Sequence, residues 1–575
     1  MQDAAAVGTQ QQGVGRASRR SRARVMARAS APSRPQSVLA ALSALLVVLS
    51  FPDFDLWPVA WVGLVPLMLA VLGARPAQGF VLGWLWGTLF FYGSCWWLTH
   101  SMIHYGGIPP AAAFALLLPP VILVALFPAL WALLVARASL RWGAKALALA
   151  PFAWAALEWL RLTATGQLWN ALGYSQAYHP TVIQPAAWGG VYAVSFLLVA
   201  ANAALAFALA QRTLRSSLYA ALASALVALT AALAEINSVQ HALANDSDAQ
   251  AAAVVVAIQP NVSPDFERPV EEEQALVARH LSMSRDALIS WEPLRELYGW
   301  RDVPPRRPGG EPRLVVWPES PMNFRWERDA EFRETVSNFA RANRTSVLFN
   351  ALEPAPAGGA YNSAVLVNEH GQLVARYDKI RLLPFGEYVP LPWWLGGGLV
   401  GAIVGEFTPG ASYTLLPVGE AKAGVFICFE SAFPALSREF TGAGADVLIN
   451  ISNDGYLGRT PVLRQHLANA VFRAVENRRE VLRVTNTGIT ARITPRGEVL
   501  DATGSFETAS RTWPVARATA GQTFYTRRGD LFVALCALVT ILSVVSGQLS
   551  VVRAARTSAV AADDQASQRG KTTDH

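Results

Sequence analysis

Long apolar segments are the feature of this 575-residue chain that most restricts how it can fold. In lipid, a backbone has to satisfy its own N–H and C=O groups, so an apolar stretch of about 20 residues predicts a membrane-spanning helix. Eight segments have this character, although the first two are short, and they lie at 37–51, 57–73, 78–98, 110–135, 145–160, 186–210, 216–236 and 531–552. We therefore expect a multi-pass α-helical membrane domain of about eight spans.

Basic residues are distributed unevenly between the loops that join these segments. Arg161 is the one Lys or Arg in the short loops on one side, whereas arginines crowd the first 35 residues, the loops of the other side and the C-terminal tail. Because loops rich in Lys and Arg stay in the cytoplasm, both termini are predicted to be cytoplasmic. The long segment before the last span is predicted to be extracytoplasmic. The basic surplus flanks the membrane rather than lining a groove, so nucleic acid is not expected as a partner.

The same pattern divides the chain into five parts. We expect a disordered basic cytoplasmic tail at 1–35, a transmembrane domain of seven spans at 36–240, an extracytoplasmic catalytic domain at 241–529, a C-terminal transmembrane helix at 530–552 and a cytoplasmic tail at 553–575.

The external segment alternates short β-branched runs with helical patterns, which predicts a layered α/β fold. The predicted strands are Val254–Gln259, Leu314–Pro318, Ser346–Asn350, Ser363–Asn368, Ala423–Phe429, Val447–Ile451 and Val481–Thr485, and the predicted helices are 269–298, 329–342, 432–440 and 461–479. Residues 301–312 are predicted to form a loop. In such sheets, ligands bind beyond the carboxyl ends of strands.

Three short motifs place reactive side chains at or near predicted strand ends. They are Trp317-Pro318-Glu319-Ser320, Tyr377-Asp378-Lys379 running into Pro384-Phe385-Gly386-Glu387-Tyr388-Val389-Pro390, and Ile427-Cys428-Phe429-Glu430. An ordinary thiol is only a few per cent thiolate at neutral pH, so a catalytic Cys428 needs a base and a nearby cation. Glu319 and Lys379 supply both. Moving a proton from an unperturbed thiol to an unperturbed carboxylate costs about 5.7 kcal/mol, and desolvation of the carboxylate and the ammonium charge both reduce that cost.

Each of these residues also has a purely structural interpretation. Cys428 fits a small buried core residue, Glu319 fits a helix cap, and Lys379 fits a surface ion pair with Asp378 or Glu387. A Cys428–His466 dyad is a further alternative, but it leaves Glu319 and Lys379 without a role.

The order of the motifs resembles that of the nitrilase, or carbon–nitrogen hydrolase, superfamily. The flanking spans make the chain similar to one branch of it, the apolipoprotein N-acyltransferases. The similarity covers residues 37–552, and its most specific part is Pro384-Phe385-Gly386-Glu387-Tyr388-Val389-Pro390. Smaller matches include Tyr361-Asn362-Ser363, Asn450 to Asp454 and Gln465-His466. The resemblance implies an αββα sandwich for the external domain, a bacterial inner (cytoplasmic) membrane location, and no metal or other cofactor.

The resemblance also implies a role for each site residue. Cys428 would be the nucleophile, Glu319 the general base and later acid, and Lys379 the electrostatic stabiliser. Glu387 would be a second carboxylate that orients Lys379 or shares its proton, and Glu430 would help to hold the Cys428 loop. In the implied reaction, the thiolate takes an acyl chain from the sn-1 ester of a phospholipid such as phosphatidylethanolamine. The resulting thioester passes the chain to the α-amine of a diacylglyceryl-cysteine at a lipoprotein N-terminus.

Four aromatic residues are candidates for substrate binding. Trp393 and Trp394 precede a glycine-rich apolar stretch, and we interpret this loop as a lid that dips into the membrane, with an ordinary packed loop as the alternative. Tyr388 and Phe429 adjoin the reactive residues. Phe429 stands where the family usually has Tyr, which puts the acyl-donor preference in question more than the reaction.

Two other functions remain open from sequence alone. A membrane-anchored amidase of the nitrilase type would use the same three residues, with water in place of the amine. A transporter or receptor with an external binding domain would need paired charges within the membrane. Glu158 near Arg161, and Glu235 at a span end, are the residues that fit that pattern.

Overall fold

A helical part and an α/β part make up the computed structural model. It describes residues 31–246, 251–263, 270–297, 312–319, 324–356, 358–389, 407–519 and 521–546. The predicted tails up to residue 30 and from 553 onward, the 301–311 loop, and Trp393 and Trp394 with their lid lie outside the described residues.

Apolar helices of very different lengths form the first part. They are α1 (Arg34–Leu49), α2 (Val65–Val71), α3 (Pro76–Cys95), α4 (Leu98–His104), α5 (Pro110–Leu116), α6 (Leu118–Val124), α7 (Leu126–Trp142), α8 (Ala150–Thr165), α9 (Pro180–Ile183), α10 (Ala186–Gln211) and α11 (Leu214–Asp246). Their ends follow local chemistry: Ser33 caps α1 through a capping box with Gln36, and Gly166, with φ +68°, ends α8.

Three described stretches are long and apolar enough to cross a membrane: Pro110–Thr165, Ala186–Gln211 and Leu214–Gln240. Three shorter apolar helices accompany them, at Arg34–Leu49, Trp57–Val71 and Leu531–Ser546. The segment predicted as one span at 57–73 is a 3₁₀ turn, Trp57–Trp61, followed by α2. Pro66 lies in the first turn of α2, where the missing N–H is tolerated, and a helix running in from Trp57 would need that donor.

Glycines spaced by four residues bring α3 and α7 close together. A Cβ added at Gly83 would lie 2.3 Å from the carbonyl oxygen of Pro128 and 2.7 Å from the Cβ of Ala132. Gly79 and Gly87 are equally close to α7. Small residues at this spacing allow membrane helices to pack backbone against backbone.

The α/β part contains two six-stranded sheets. The strands are β1 (Ala251–Gln259), β2 (Arg313–Val316), β3 (Ser346–Pro354), β4 (Ala360–Val367), β5 (Leu373–Asp378), β6 (Leu415–Val418), β7 (Ala421–Ile427), β8 (Val447–Ser452), β9 (Glu480–Thr485), β10 (Ala491–Ile493), β11 (Val499–Leu500) and β12 (Ala509–Ala516). The first sheet has the order β12-β1-β2-β3-β4-β5, and the second has β11-β10-β9-β8-β7-β6. The central pairs β1–β2–β3 and β7–β8–β9 are parallel, and the outer pairs are antiparallel.

Helices cover the outer face of each sheet, which gives four layers. These helices are α12 (Val270–Leu297) and α13 (Ala330–Asn343) on the first sheet, and α14 (Pro434–Gly442) and α15 (Val462–Asn477) on the second. Alternation along β1 sorts its side chains: Val256 and Ile258 join the cluster under α12 and α13, whereas Val255 and Ala257 join the core shared with the second sheet. The predicted αββα sandwich is therefore present.

The α/β part packs tightly on the helical part through α15. Every residue of α15 except Arg464 is buried, including Arg473 and Glu476. The backbone N–H of Val191 in α10 donates to Glu476 (3.0 Å). The chain then passes through α16 (Phe524–Arg528) to the last described helix, α17 (Leu531–Ser546), whose Phe532 contacts Gly189 of α10.

Candidate active site

Three strand ends bring the predicted reactive residues to one edge where the two sheets meet. Glu319 follows β2 and Lys379 follows β5 in the first sheet, and Cys428 follows β7 in the second. The predicted strand through Phe429 is two residues too long, because β7 ends at Ile427 and Cys428 begins a 3₁₀ turn that runs to Ala432. The thiol therefore leaves the sheet instead of being packed within it.

Lys379 is a buried cation held between two carboxylates. Its Nζ lies 2.9 Å from Oε1 of Glu387 and 3.5 Å from Oε1 of Glu319, and its side chain is 1% exposed. Burial opposes the charged form, but Glu387 and Glu319 outweigh it and raise the pKa of Lys379 above its ordinary value. A permanent positive charge is therefore present beside Cys428.

Two asparagines hold the carboxylates in place. The side-chain amide of Asn362 donates both to Glu319 Oε1 (3.0 Å) and to Glu387 Oε1 (2.8 Å). The backbone N–H of Asn453 donates to Glu319 Oε2 (3.0 Å), and that of Leu383 donates to Glu387 Oε2 (2.7 Å). Both carboxylates are thus fixed in place by hydrogen-bond donors on two sides.

Cys428 has a left-handed backbone conformation, with φ +52°. Such a conformation costs about 1–2 kcal/mol for a residue with a Cβ and is found disproportionately at functional sites. Burial and the nearby charge of Glu319 raise the pKa of the Cys428 thiol, and Lys379 lowers it. The balance keeps the residue a thiol, so any reaction of this sulfur as a nucleophile would require a nearby base to take its proton.

Glu430 ties the Lys379 segment to the Cys428 turn. Its Oε1 accepts from the Tyr377 hydroxyl (2.8 Å) and from the backbone N–H of Ile380 (2.8 Å) and Arg381 (3.0 Å). Its Oε2 accepts from the N–H of Ile427 (2.7 Å). Burial raises the pKa of Glu430 to about 7. One carboxyl group thereby links the ends of β5 and β7.

The imidazole of His466 does not face the thiol of Cys428. Its Nε2 lies 3.0 Å from the backbone carbonyl of Cys428, and its Nδ1 lies 2.9 Å from Oδ1 of Asp454. Since both ring nitrogens are engaged in these contacts, the geometry disfavours the dyad considered above. The sequence motifs contained His466, Asn362 and Asn453 but assigned them no structural role.

A loop of the helical part reaches the site. The indole of Trp169 stacks on Phe429, with ring centroids 6.0 Å apart and planes 18° apart. The indole N–H groups of Trp169 and Trp97 donate to the same oxygen of Gln465, at 2.9 and 3.1 Å. Cys428 is therefore next to aromatic residues of the helical part. Tyr388 is 40% exposed beside the Glu387 turn.

Two family profiles match the chain in succession. The profile described as "Apolipoprotein N-acyltransferase N-terminal domain" matches residues 43–204, and "Carbon-nitrogen hydrolase" matches residues 253–523. The two-sheet sandwich and the second match define a nitrilase-superfamily protein whose α/β domain is joined to an apolar helical domain.

Named relatives show to which branch of that superfamily the chain belongs. The apolipoprotein N-acyltransferase of Geobacter metallireducens is 34% identical over 509 residues, which cover 88% of this chain and 93% of the relative. That of Agrobacterium fabrum is 30% identical over 495 residues, with 81% and 87% covered. The chain belongs to the apolipoprotein N-acyltransferase family.

Solved nitrilase-superfamily structures align with the α/β part at low similarity. A mutant amidase from Nesterenkonia sp. AN1, with acetamide attached covalently to its active-site cysteine, is 16% identical and covers 49% of this chain and 96% of its own, with a TM-score of 0.33. Saccharomyces cerevisiae Nit3 is 17% identical, covers 48% and 94%, and has a TM-score of 0.32. The fold assignment rests on the strand order and the family profile instead.

Proposed function

We propose that this protein transfers a fatty acyl chain from a phospholipid to the α-amine of a diacylglyceryl-cysteine at a lipoprotein N-terminus, through a thioester on Cys428. The observation that carries the proposal is the position of Lys379. Its charge lies between Glu319 and Glu387, beside a cysteine that adjoins aromatic residues of the apolar helical domain. Membership in a family of that name supports the choice of acceptor.

In the first half-reaction, Glu319 removes the Cys428 proton as the sulfur attacks the carbonyl carbon of the sn-1 ester. Lys379, together with a backbone N–H of the Cys428 turn, stabilises the oxyanion. Collapse breaks the bond from the carbonyl carbon to the glycerol oxygen, and Glu319 returns its proton to that oxygen. A lysophospholipid leaves, and the acyl chain stays on the sulfur.

In the second half-reaction, the α-amine attacks the thioester carbonyl. Glu319 accepts a proton from the amine as the amide forms, and then returns it to the departing Cys428 sulfur. The enzyme is regenerated without a metal or a soluble cofactor. Glu387 and Asn362 keep Lys379 and Glu319 in register through both steps, since Asn362 donates to both carboxylates.

The membrane arrangement is part of the proposal. We propose eight spans in the inner (cytoplasmic) membrane, with seven at 36–240 and one at 530–552. The catalytic domain at 241–529 would lie outside, and the tails at 1–35 and 553–575 inside. Arg161 lies near the end of α8 rather than in a loop, and the arginines of the opposite loops support this orientation. A fusion of alkaline phosphatase after residue 240 would be active and one after residue 552 inactive; the opposite result at either position would overturn the orientation.

Product analysis tests transfer against hydrolysis. The purified protein is incubated with phosphatidylethanolamine labelled in the sn-1 chain and with a diacylglyceryl peptide. Transfer predicts labelled triacyl peptide and lysophospholipid in equal amounts, and no product with a Cys428→Ser variant. Labelled free fatty acid in the presence of saturating peptide would instead favour the membrane-anchored amidase or hydrolase.

We also propose that Trp393, Trp394, Tyr388 and Phe429 contact the substrate.

A further inference from the structure

The backbone of Cys428 needs support that the side chains of Glu319, Lys379 and Glu387 do not supply. Its φ of +52° is unusual for a residue with a side chain. Glu430 binds the N–H of the preceding residue, Ile427, and leaves the carbonyl of Cys428 to another donor. That donor is Nε2 of His466, at 3.0 Å. Because a carbonyl oxygen only accepts, the Nε2 atom carries a proton.

Charged groups behind the imidazole fix its orientation. Oδ1 of Asp454 lies 2.9 Å from Nδ1 of His466, and it also accepts from the hydroxyl of Ser452 (2.9 Å). Arg483 donates through Nη2 to Oδ2 of Asp454 (2.7 Å), and this nitrogen lies 3.1 Å from the same Nδ1. His466, Asp454 and Arg483 are almost completely buried.

The surroundings leave this cluster little freedom to move. Arg483 and His466 hold the pKa of Asp454 well below its usual range, although burial alone would raise it. A Cβ at Gly488 would lie 2.1 Å from Oδ2 of Asp454, so the chain approaches this carboxylate as closely as a glycine allows. The Trp169 ring lies 5.7 Å from that of His466. Such packing suits a rigid support rather than a group that exchanges protons with substrate.

We propose that His466 is a positioning residue, which holds the carbonyl of Cys428 through Nε2–H and so keeps the sulfur next to Glu319 and Lys379. Asp454 and Arg483 in turn hold the imidazole. The proposal rests on the proposed function for its kinetic readout. It predicts that any side chain with a donor at the Nε2 position preserves the reaction, whether or not that donor titrates.

Two amide variants form a matched test. In His466→Gln the side-chain NH₂ reaches approximately the Nε2 position and the carbonyl of Cys428, whereas in His466→Asn it reaches only the Nδ1 position. Both remove the titrating ring. The rate of acyl-thioester formation from phospholipid is measured across pH. We expect His466→Asn to be slowed about 100-fold, with an unchanged KM for phospholipid, because a small misplacement of a reacting atom has an effect of that order. His466→Gln should recover most of the rate and keep the wild-type pH profile.

Two results would overturn the proposal. Equal loss of rate in both variants, with the acidic limb of the pH profile gone, would make the imidazole a proton carrier. Equal wild-type rates per folded molecule, with only thermal stability reduced, would make the hydrogen bond structural.

A measurement that uses no phospholipid tests the positioning role of His466 independently of the proposed acyltransferase function. Iodoacetamide alkylation of Cys428, followed by mass spectrometry of its peptide, reports how the thiol is presented. The His466→Asn variant should be alkylated more slowly than His466→Gln, because a displaced sulfur loses the charge of Lys379. That result supports the positioning role even if the wild type forms no thioester, an outcome that would reject the acyltransferase mechanism alone. Equal alkylation rates would contradict the positioning role.

Discussion

The positive charge of Lys379 has two effects at the site, and a neutral side chain could provide neither of them. It balances Glu319 and Glu387, which would otherwise repel each other, and it lowers the pKa of the Cys428 thiol. Its burial means that little water screens either interaction. Charge balance and the proposed activation of Cys428 therefore depend on the same ammonium group.

Replacing Lys379 by Met should reduce the rate of thioester formation at least about 1,000-fold. The two carboxylates would then share a proton, and Glu319 would be a poorer base. Lys379→Arg is the matched control for charge, and we expect only slight recovery because a guanidinium group does not fit the space between two fixed carboxylates. Single-turnover assays with labelled phospholipid measure the rate. A Met variant within tenfold of wild type would show that the ammonium is dispensable.

The raised pKa of Glu430 predicts that the stability of the folded protein depends on pH. Burial raises its pKa from 4.5 to about 7, so the folded state holds a proton there that the unfolded state has lost. Stability from this group is fully present below about pH 4.5 and is lost, by about 3 kcal/mol, as the pH rises to about 7. In Glu430→Gln, whose neutral amide resembles the protonated carboxyl, that slope should disappear, so thermal unfolding of the two proteins should be most alike near pH 4.5 and should diverge as the pH rises to about 7. Parallel pH dependences would contradict this account.

The candidate site residues, including the supporting Glu387 and Glu430, could be predicted from sequence, but the contacts of Asn362 and His466 could not. Glu319, Lys379 and Cys428 stand beside recognisable turn and strand signals. Asn362 bridges two carboxylates that are distant in sequence, and His466 binds a backbone carbonyl on another element. Such contacts depend on tertiary structure and leave no local pattern. The effect of the lid residues Trp393 and Trp394 stays a prediction.

Among the helices and strands, segments with a clear periodic pattern match the prediction closely, whereas strands without such a pattern are missed. Helix 461–479 was predicted and α15 is Val462–Asn477; strand Val447–Ile451 was predicted and β8 is Val447–Ser452. Strands β10 and β11 have three and two residues, too few to show alternation. Strand β12 contains Pro514 and lies at a sheet edge, where proline is tolerated but weakens the strand signal.

The close approach of α3 to α7 gives a prediction for the packing of these two apolar helices. Gly83→Ala places a methyl group 2.3 Å from the carbonyl oxygen of Pro128, so the helices have to separate. We expect a drop of several degrees in thermal stability in detergent. Gly93→Ala, on the same helix, meets only Val48 methyl groups at 3.2 Å or more and is the matched control. Equal stability of the two variants would rule out tight packing at Gly83.

The α/β part depends on the helical part for its core. Phe472 of α15 packs edge-on against Tyr174, and Arg473 donates to the hydroxyl of that tyrosine (3.3 Å). Glu476 of the same helix accepts from α10. A helix buried on all sides in this way has no face suited to water.

A chain limited to residues 251–529 should therefore fail to form a stable monomer. Separation from the helical part would expose Phe472 and the buried Arg473–Glu476 pair, and would remove the contacts that Tyr174 and Val191 make with that pair. Gel filtration and circular dichroism are expected to show aggregated or partly folded protein, whereas the full chain in detergent elutes as one species. A monomeric domain with cooperative thermal unfolding would contradict the shared core.

Intact-protein and peptide mass spectrometry after incubation with phospholipid alone is the decisive experiment for a thioester on Cys428. We expect a mass increase equal to one fatty acyl chain, located on Cys428, sensitive to hydroxylamine and lost on addition of a diacylglyceryl peptide. The buried Cys95 and Cys536 should stay unmodified and serve as internal controls. Acyl transfer to the peptide by a Cys428→Ser variant, or an adduct that the peptide does not discharge, would contradict the thioester pathway.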